Sequence, residues 1–251
     1  MTKPFTDHFA AIAADYVGFR PTYPATLFAW LAEIAPGRAL AWDCAAGSGQ
    51  ASRDLAAHFE RVIATDASAA QIAAAVRHPQ VEYQIAPAEA SGLPAAAVDL
   101  IAVAQALHWF DLDRFYIEAR RVLKPGGVLA AWSYGVLAVA GEAVDARVRT
   151  FYRETVGPYW PPERRHVESG YRTLPFPFAE REVPKFDMEA FWALPELLGY
   201  FRSWSATARY LAERGHDPVA ALAAELAPLW GSPGDRRRIV WPLAARVGYV
   251  P

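Results

Sequence analysis

At 251 residues, 53% of them hydrophobic and 21% charged, the chain is long enough for one large core and too apolar to stay disordered. Its 25 Lys and Arg against 27 Asp and Glu leave a net charge of -2, so no global positive field draws in nucleic acid or an anionic membrane. The single cysteine, Cys44, excludes an internal disulfide and a thiolate metal cage, and the opening MTKPFTDHF has no apolar signal core, so a reducing cytoplasm is the expected compartment.

Two short helices are expected first, near 6–15 and 25–35. Tyr16-Val17-Gly18-Phe19-Arg20-Pro21-Thr22-Tyr23-Pro24 separates them, and its two prolines bar regular helix. Apolar, β-rich runs at 39–42, 61–65, 81–85, 100–104 and 128–132 then alternate with Ala-rich stretches of helical length. That alternation predicts a parallel sheet with crossover helices, a doubly wound α/β fold. Ser68 with Gln71 three residues on is a capping-box pattern, which starts a helix that runs to Pro79. Asp111 caps a helix over 112–123, and Lys124-Pro125-Gly126-Gly127 turns it into the fifth strand.

Beyond Trp132 the texture changes. GPYWPPERRH and YRTLPFPF are dense in aromatics and prolines, and helical stretches near 189–214 and 218–229 follow, together reading as a lid. The last segment, 237–250, is β-rich and broken by Pro242; with 181–186 it predicts an antiparallel hairpin at the edge of the sheet. No uncharged run reaches the roughly 20 apolar residues of a membrane helix.

Chemistry concentrates at the end of the first strand. In Asp43-Cys44-Ala45-Ala46-Gly47-Ser48-Gly49 an apolar run closes on an acid and a glycine turn before a helix, so backbone N–H groups face a ligand at the sheet's C-terminal edge. A tight turn with no ligand satisfies the same residues. Asp66 ends the second run about twenty residues further on, where a carboxylate accepts both hydroxyls of a ribose. A dinucleotide fingerprint needs a third glycine where Ser52 stands, which disfavours NAD.

At this point the chain resembles the class I S-adenosylmethionine-dependent methyltransferases of type 11. Residues 43–49 are similar to their first motif, Asp66 to their ribose acid, and Ala86-Pro87-Ala88-Glu89-Ala90-Ser91-Gly92-Leu93-Pro94 to the segment along adenine. VDLIAVAQALHWFD resembles their fourth strand and its loop. The resemblance implies a Rossmann-like sheet, S-adenosylmethionine as cofactor, and a cofactor site of Asp43, Ala45, Gly47, Gly49, Asp66, Ala67, Ala88, Glu89 and Gln105. It divides the chain into an N-terminal cap at 1–36, a cofactor-binding core at 37–135, a lid with an edge strand at 136–235 and a C-terminal edge strand at 236–251. Ala45 replaces the family's first glycine, so the backbone there is expected to avoid positive φ or the loop to shift.

Tyr16, Arg20, Tyr23, Pro24, His108-Trp109 and Trp204-Ser205 are similar to a branch that holds trans-aconitate methyltransferase-like and plant embryo-abundant-like proteins. This implies a substrate site of Tyr16, Arg20, Trp109 and Trp204. His108 is the candidate catalytic residue, since an imidazole of ordinary pKa near 6.5 suits proton removal at neutral pH; packing beside the cofactor is the other reading, and a carboxylate acceptor needs no base. Arginines interleaved with aromatics, Arg20, Arg164, Arg165 and Arg202 beside Trp160 and Tyr171, suit an anionic or flat acceptor. The histidines show no metal spacing, and no metal is expected. Cys44 sits in the turn and makes a poor nucleophile, and no Asn-Pro-Pro-Tyr-like pattern marks a nucleic-acid substrate. The expected activity is methyl transfer to an oxygen, less readily a nitrogen, of a small organic acceptor, carboxylate or aromatic; the alternative is a non-catalytic S-adenosylmethionine-binding module. The oligomeric state is left open.

Overall fold

Alternating side chains on five short strands decide the architecture. In the computed structural model, which describes residues 21–250, β1 (Leu40–Cys44), β2 (Arg61–Asp66), β3 (Val81–Ile85), β4 (Val98–Ala104) and β5 (Leu123–Tyr134) lie parallel in the order β3-β2-β1-β4-β5. Ala41, Val62, Leu100, Val128 and Ala130 point to one core, while Trp42, Ile63, Ile101, Leu129 and Ala131 point to the other. The period of two and the near-continuous burial of β4 are what a sheet covered on both faces demands. The expected helix near 6–15 and the loop residues 16–20 lie outside the described residues.

Helix α1 (Ala25–Ile34) follows Pro24 and buries Leu27, Phe28, Leu31 and Ala32 on the first face; α2 (Gln50–Ala56) and α3 (Ala69–Ala73) cross between strands. The side chain of Ser68 caps α3 by accepting from the Gln71 N–H at 3.4 Å. This helix ends at Ala73, well before Pro79. The reason is burial: Val76, the apolar residue of the next turn, is exposed, so nothing draws further turns onto the sheet. Helix α4 (Leu112–Val122) begins at the predicted cap, where Asp111 Oδ1 accepts from the Arg114 N–H at 3.4 Å. Residues 124–127 belong to β5 and form an irregularity in it, where the pairing register shifts between Val98 and Leu100 and Gly126 takes a φ of 74°.

The final strand, β9 (Arg237–Tyr249), runs antiparallel beside β5 from Leu243 to Tyr249. It is not an edge strand. β7 (Ala179–Glu180) pairs with its end, while β6 (Ala138–Val139) and β8 (Asp187–Trp192) pair with its first half. Pro242 stands where β9 leaves β8 for β5, the position at which a missing N–H costs least. Residues 181–186, expected as the hairpin partner, are the connection between β7 and β8, and 189–192, expected as helix, are strand; Met188, buried between exposed Asp187 and Glu189, shows the strand period.

The rest of the lid is helical, comprising α5 (Glu142–Thr150), α6 (Arg164–Glu168), α7 (Leu194–Arg202), α8 (Ser205–Arg214) and α9 (Pro218–Trp230). Phe151, Tyr152, Trp160, Tyr200, Phe201 and Trp204 interlock at its centre, with the Phe201 and Trp204 rings 4.8 Å apart. This cluster is continuous with the core on the α1 face of the sheet, so lid and sheet share one interior.

Candidate active site

The C-terminal ends of β1, β2 and β4 meet where the strand order reverses, the place at which open α/β sheets bind ligands. Three left-handed residues, Ala45 (φ 57°), Gly47 (φ 57°) and Gly49 (φ 83°), fold the chain from β1 into α2. Ala45 therefore adopts the positive φ it was expected to avoid, and its Cβ strains the loop. The Gly47 N–H donates to Asp66 Oδ2 at 2.9 Å and the Ser68 N–H to Asp66 Oδ1 at 2.8 Å. One carboxylate thus staples two loops at the wall of the cleft.

Asp43 behaves otherwise. It is fully buried, accepts from Ser52 Oγ at 2.5 Å through Oδ2, and leaves Oδ1 with no partner. Burial pushes its carboxyl up to about 7. It holds the start of α2 from beneath and does not line the cleft. Ser52, read in sequence as a missing glycine, is its hydroxyl partner. Gly49 also stays out of the lining; a Cβ there collides with the Tyr83 hydroxyl, so its glycine serves packing. Burial raises the Cys44 thiol, as an inert core cysteine requires.

On the opposite wall Gln105 ends β4 at φ 59°, with its N–H on the Trp132 carbonyl at 2.9 Å and its Nε2 on the Tyr134 carbonyl at 3.3 Å. A single 3-10 turn, Leu107–Trp109, follows. The His108 ring lies 4.5 Å from that of Trp109, and its Nδ1 is 3.2 Å from the Tyr171 hydroxyl. The third wall is 86–90, tied at both ends: the Ala86 N–H reaches the Asp66 carbonyl at 3.1 Å, and Glu89 Oε1 accepts from the Asp111 N–H at 2.9 Å.

Between these walls lies a cleft of about 610 Å³. Ala45, Gly47, Asp66, Ala67, Ala88, Glu89, Gln105 and Trp109 line it. His108 is not among the lining residues, because its ring is packed between Trp109 and Tyr171. Trp204, expected against substrate, is buried in the aromatic centre of the lid. Tyr16 and Arg20 lie outside the described residues. Of the other arginines, Arg164 stacks 4.7 Å over Trp160, and Arg202 pairs with Asp217 at 2.9 Å. Sequence reading passed over Tyr134, Glu163 and Arg209, which also line the cleft. Tyr134 closes β5, whereas Glu163 and Arg209 arrive through the docking of the lid, for which no local pattern exists.

The donor set suits a nucleoside-bearing cation. A carboxylate on the cleft wall adjoins a flat, mostly alanine segment, and the cleft has the volume of a cofactor with a small second ligand. A family model described as a methyltransferase domain matches residues 42–131. A Dictyostelium discoideum protein that carries a provisional methyltransferase name is 37% identical over 232 residues, 88% of this chain and 88% of its own.

The chain belongs to the class I S-adenosylmethionine-dependent methyltransferases.

A solved structure of a provisionally named type II methyltransferase from Anaeromyxobacter dehalogenans shares 52% identity with this methyltransferase and superposes at a TM-score of 0.87, covering 92% of this chain and 98% of that one. The fold extends further: a phosphoethanolamine N-methyltransferase of Haemonchus contortus, solved with S-adenosylhomocysteine, matches at 15% identity and a TM-score of 0.51 over 100% of this chain and 61% of its own. The protein is an enzyme, and S-adenosylmethionine is its cofactor. Among the described residues no group of His, Cys, Asp and Glu side chains is placed to hold a metal ion, and no helix is long and apolar enough to cross a membrane.

Proposed function

We propose that this methyltransferase methylates an oxygen of a small organic acceptor that is anionic or aromatic. The observation that carries the reading is the make-up of the cleft beyond the cofactor-side loops. Tyr23 and Tyr134, with rings 6.2 Å apart, Trp109 from the loop after β4, and Pro161, Pro162 and Arg209 from the lid surround it. Flat rings and prolines suit a planar ligand, and a guanidinium suits a carboxylate or phenolate oxygen. Arg209 stands on a lid helix, with its Nη1 on the Tyr159 carbonyl at 3.4 Å, and is placed to take the acceptor-binding role expected of Arg20, which lies outside the described residues. A groove walled by a lid and closed loops admits a small molecule more readily than a nucleic-acid strand.

When bound, S-adenosylmethionine supplies a methyl group on a sulfonium that is already a good leaving group. The chain's own residues need only hold the acceptor oxygen in line and exclude water. Asp66 and the 86–90 wall fix the nucleoside end, Gln105 shapes the strand end beside it, and the lid prolines cover the other side. No base is required for a carboxylate, which is ionised at neutral pH. His108, packed against Tyr171, fits that economy.

The test is turnover with S-adenosylmethionine and a panel of small carboxylic acids, phenols, alcohols and amines, read as S-adenosylhomocysteine release. Methyl esters or ethers from acids or phenols support the proposal. Turnover confined to amines overturns the oxygen assignment, and turnover confined to neutral alcohols overturns the anionic or aromatic class.

A further inference from the structure

We propose that Tyr171 is a positioning residue that fixes the tautomer of His108, occupying Nδ1 with the phenol's hydrogen so that the imidazole carries its own proton on Nε2. The argument is hydrogen-bond accounting in a closed space. Tyr171 is fully buried, and its hydroxyl oxygen lies 3.2 Å from His108 Nδ1. The phenol's own hydrogen, shut off from water, needs an acceptor. Among the described residues His108 Nδ1 is the one side-chain hydrogen-bond partner of that hydroxyl. If Nδ1 carried the proton instead, the phenol would accept from it and bury its own hydrogen unpaired. Burial also keeps the phenol protonated, well above its ordinary range, so the donor is always present.

The backbone shows that the placement of Tyr171 is enforced. Its φ is 63°, following Gly170 at 59°, and a left-handed conformation is rare and strained for a bulky aromatic residue. Such strain persists only where neighbours over-determine it. Here the Tyr171 N–H reaches the His166 carbonyl at 2.8 Å, and its carbonyl accepts from Arg246 Nη1 at 3.1 Å. Arg246 in turn stacks 4.7 Å over Phe176 and pairs with Glu180. A residue from the lid is therefore bolted to β9 and reaches under the 3-10 turn whose last residue, Trp109, faces the cleft. The ring contact of 5.8 Å between His108 and Tyr171 completes the support.

The test needs no acceptor and so stands apart from the choice of substrate class. Long-range proton–nitrogen correlation spectra of the uniformly nitrogen-15-labelled enzyme at pH 8 report the tautomer of each histidine, and His108→Gln identifies the signal by its disappearance. The wild type is expected to show His108 in the Nε2–H form alone, and Tyr171→Phe, which keeps the ring, to show an average of both tautomers. A wild-type His108 protonated on Nδ1, or already averaged, overturns the proposal even if the variant fails to fold. A single Nε2–H form that persists unchanged in folded Tyr171→Phe shows that another group sets the tautomer and overturns the role of Tyr171.

Discussion

Asp43 is the residue whose chemistry differs most from its motif. Its carboxyl is held near 7 by burial against an ordinary 3.8, so between those values the folded protein carries a proton that the unfolded chain has released. Stability therefore falls as pH rises through this window, by up to about 1.4 kcal/mol per pH unit, and levels off above it. Urea unfolding between pH 4 and 8 should show that decline in the wild type and a nearly flat profile in Asp43→Asn. A wild-type stability that rises across the window would contradict a buried neutral carboxyl. Ala45 gives a second residue-scale test. Because its φ of 57° suits glycine, Ala45→Gly should raise stability by about 0.5–1 kcal/mol, net of the entropy that glycine adds to the unfolded chain. A lower melting temperature would mean that the Cβ is worth more in packing than it costs in strain. The acid and the glycine turn were visible in the sequence. What they contact was not, since Ser52 lies nine positions from Asp43 and reaches it only once α2 is folded over the strand.

Among the elements, α4 carries a device that links the fold to the cleft. Glu118 Oε1 accepts from the Ser91 N–H at 2.8 Å and from the Ser91 hydroxyl, while Arg121 closes on the same carboxylate at 2.7 Å. Arg121 also reaches the Leu93 carbonyl at 2.7 Å, so the helix clamps the segment that continues the 86–90 wall. The Arg121 guanidinium, with help from Ser91, holds the Glu118 carboxyl down at about 2 against an ordinary 4.5. The stability it contributes is full above about 4.5 and is lost as pH falls toward 2. Glu118→Gln should cost about 1–3 kcal/mol at pH 7 and remove that part of the acid limb, as seen in melting temperatures at pH 7 and 3. An equal loss at both values would show that the charge is idle. Local signals read this part of the chain well, because Asp111, Ser68 and the strand alternation act within a few residues. They failed at β8 and at the far end of α3, where pairing with β9 in one case and the lack of anything to bury in the other decided the outcome.

The whole molecule is one sheet with a lid whose aromatic core is continuous with the interior of the sheet. The parallel sheet and the cofactor loops follow from patterns that repeat within 100 residues, so that half of the site was legible in advance, whereas the strand order came only from the fold. The lid was legible only as composition. That Trp204 is its structural centre, that Arg164 is spent on Trp160, and that Arg209 reaches the cleft are consequences of how helices far apart in the chain pack together. The account rests on the cleft at the ends of β1, β2 and β4 being the cofactor site, with Asp66 serving both loops and ligand. Isothermal titration calorimetry tests this most directly. S-adenosylmethionine should bind the wild type at one site, NAD should give no heat, and folded Asp66→Ala should bind S-adenosylmethionine about 2 kcal/mol more weakly, roughly a thirtyfold loss. Unchanged affinity in folded Asp66→Ala, or preference for NAD in the wild type, would contradict it.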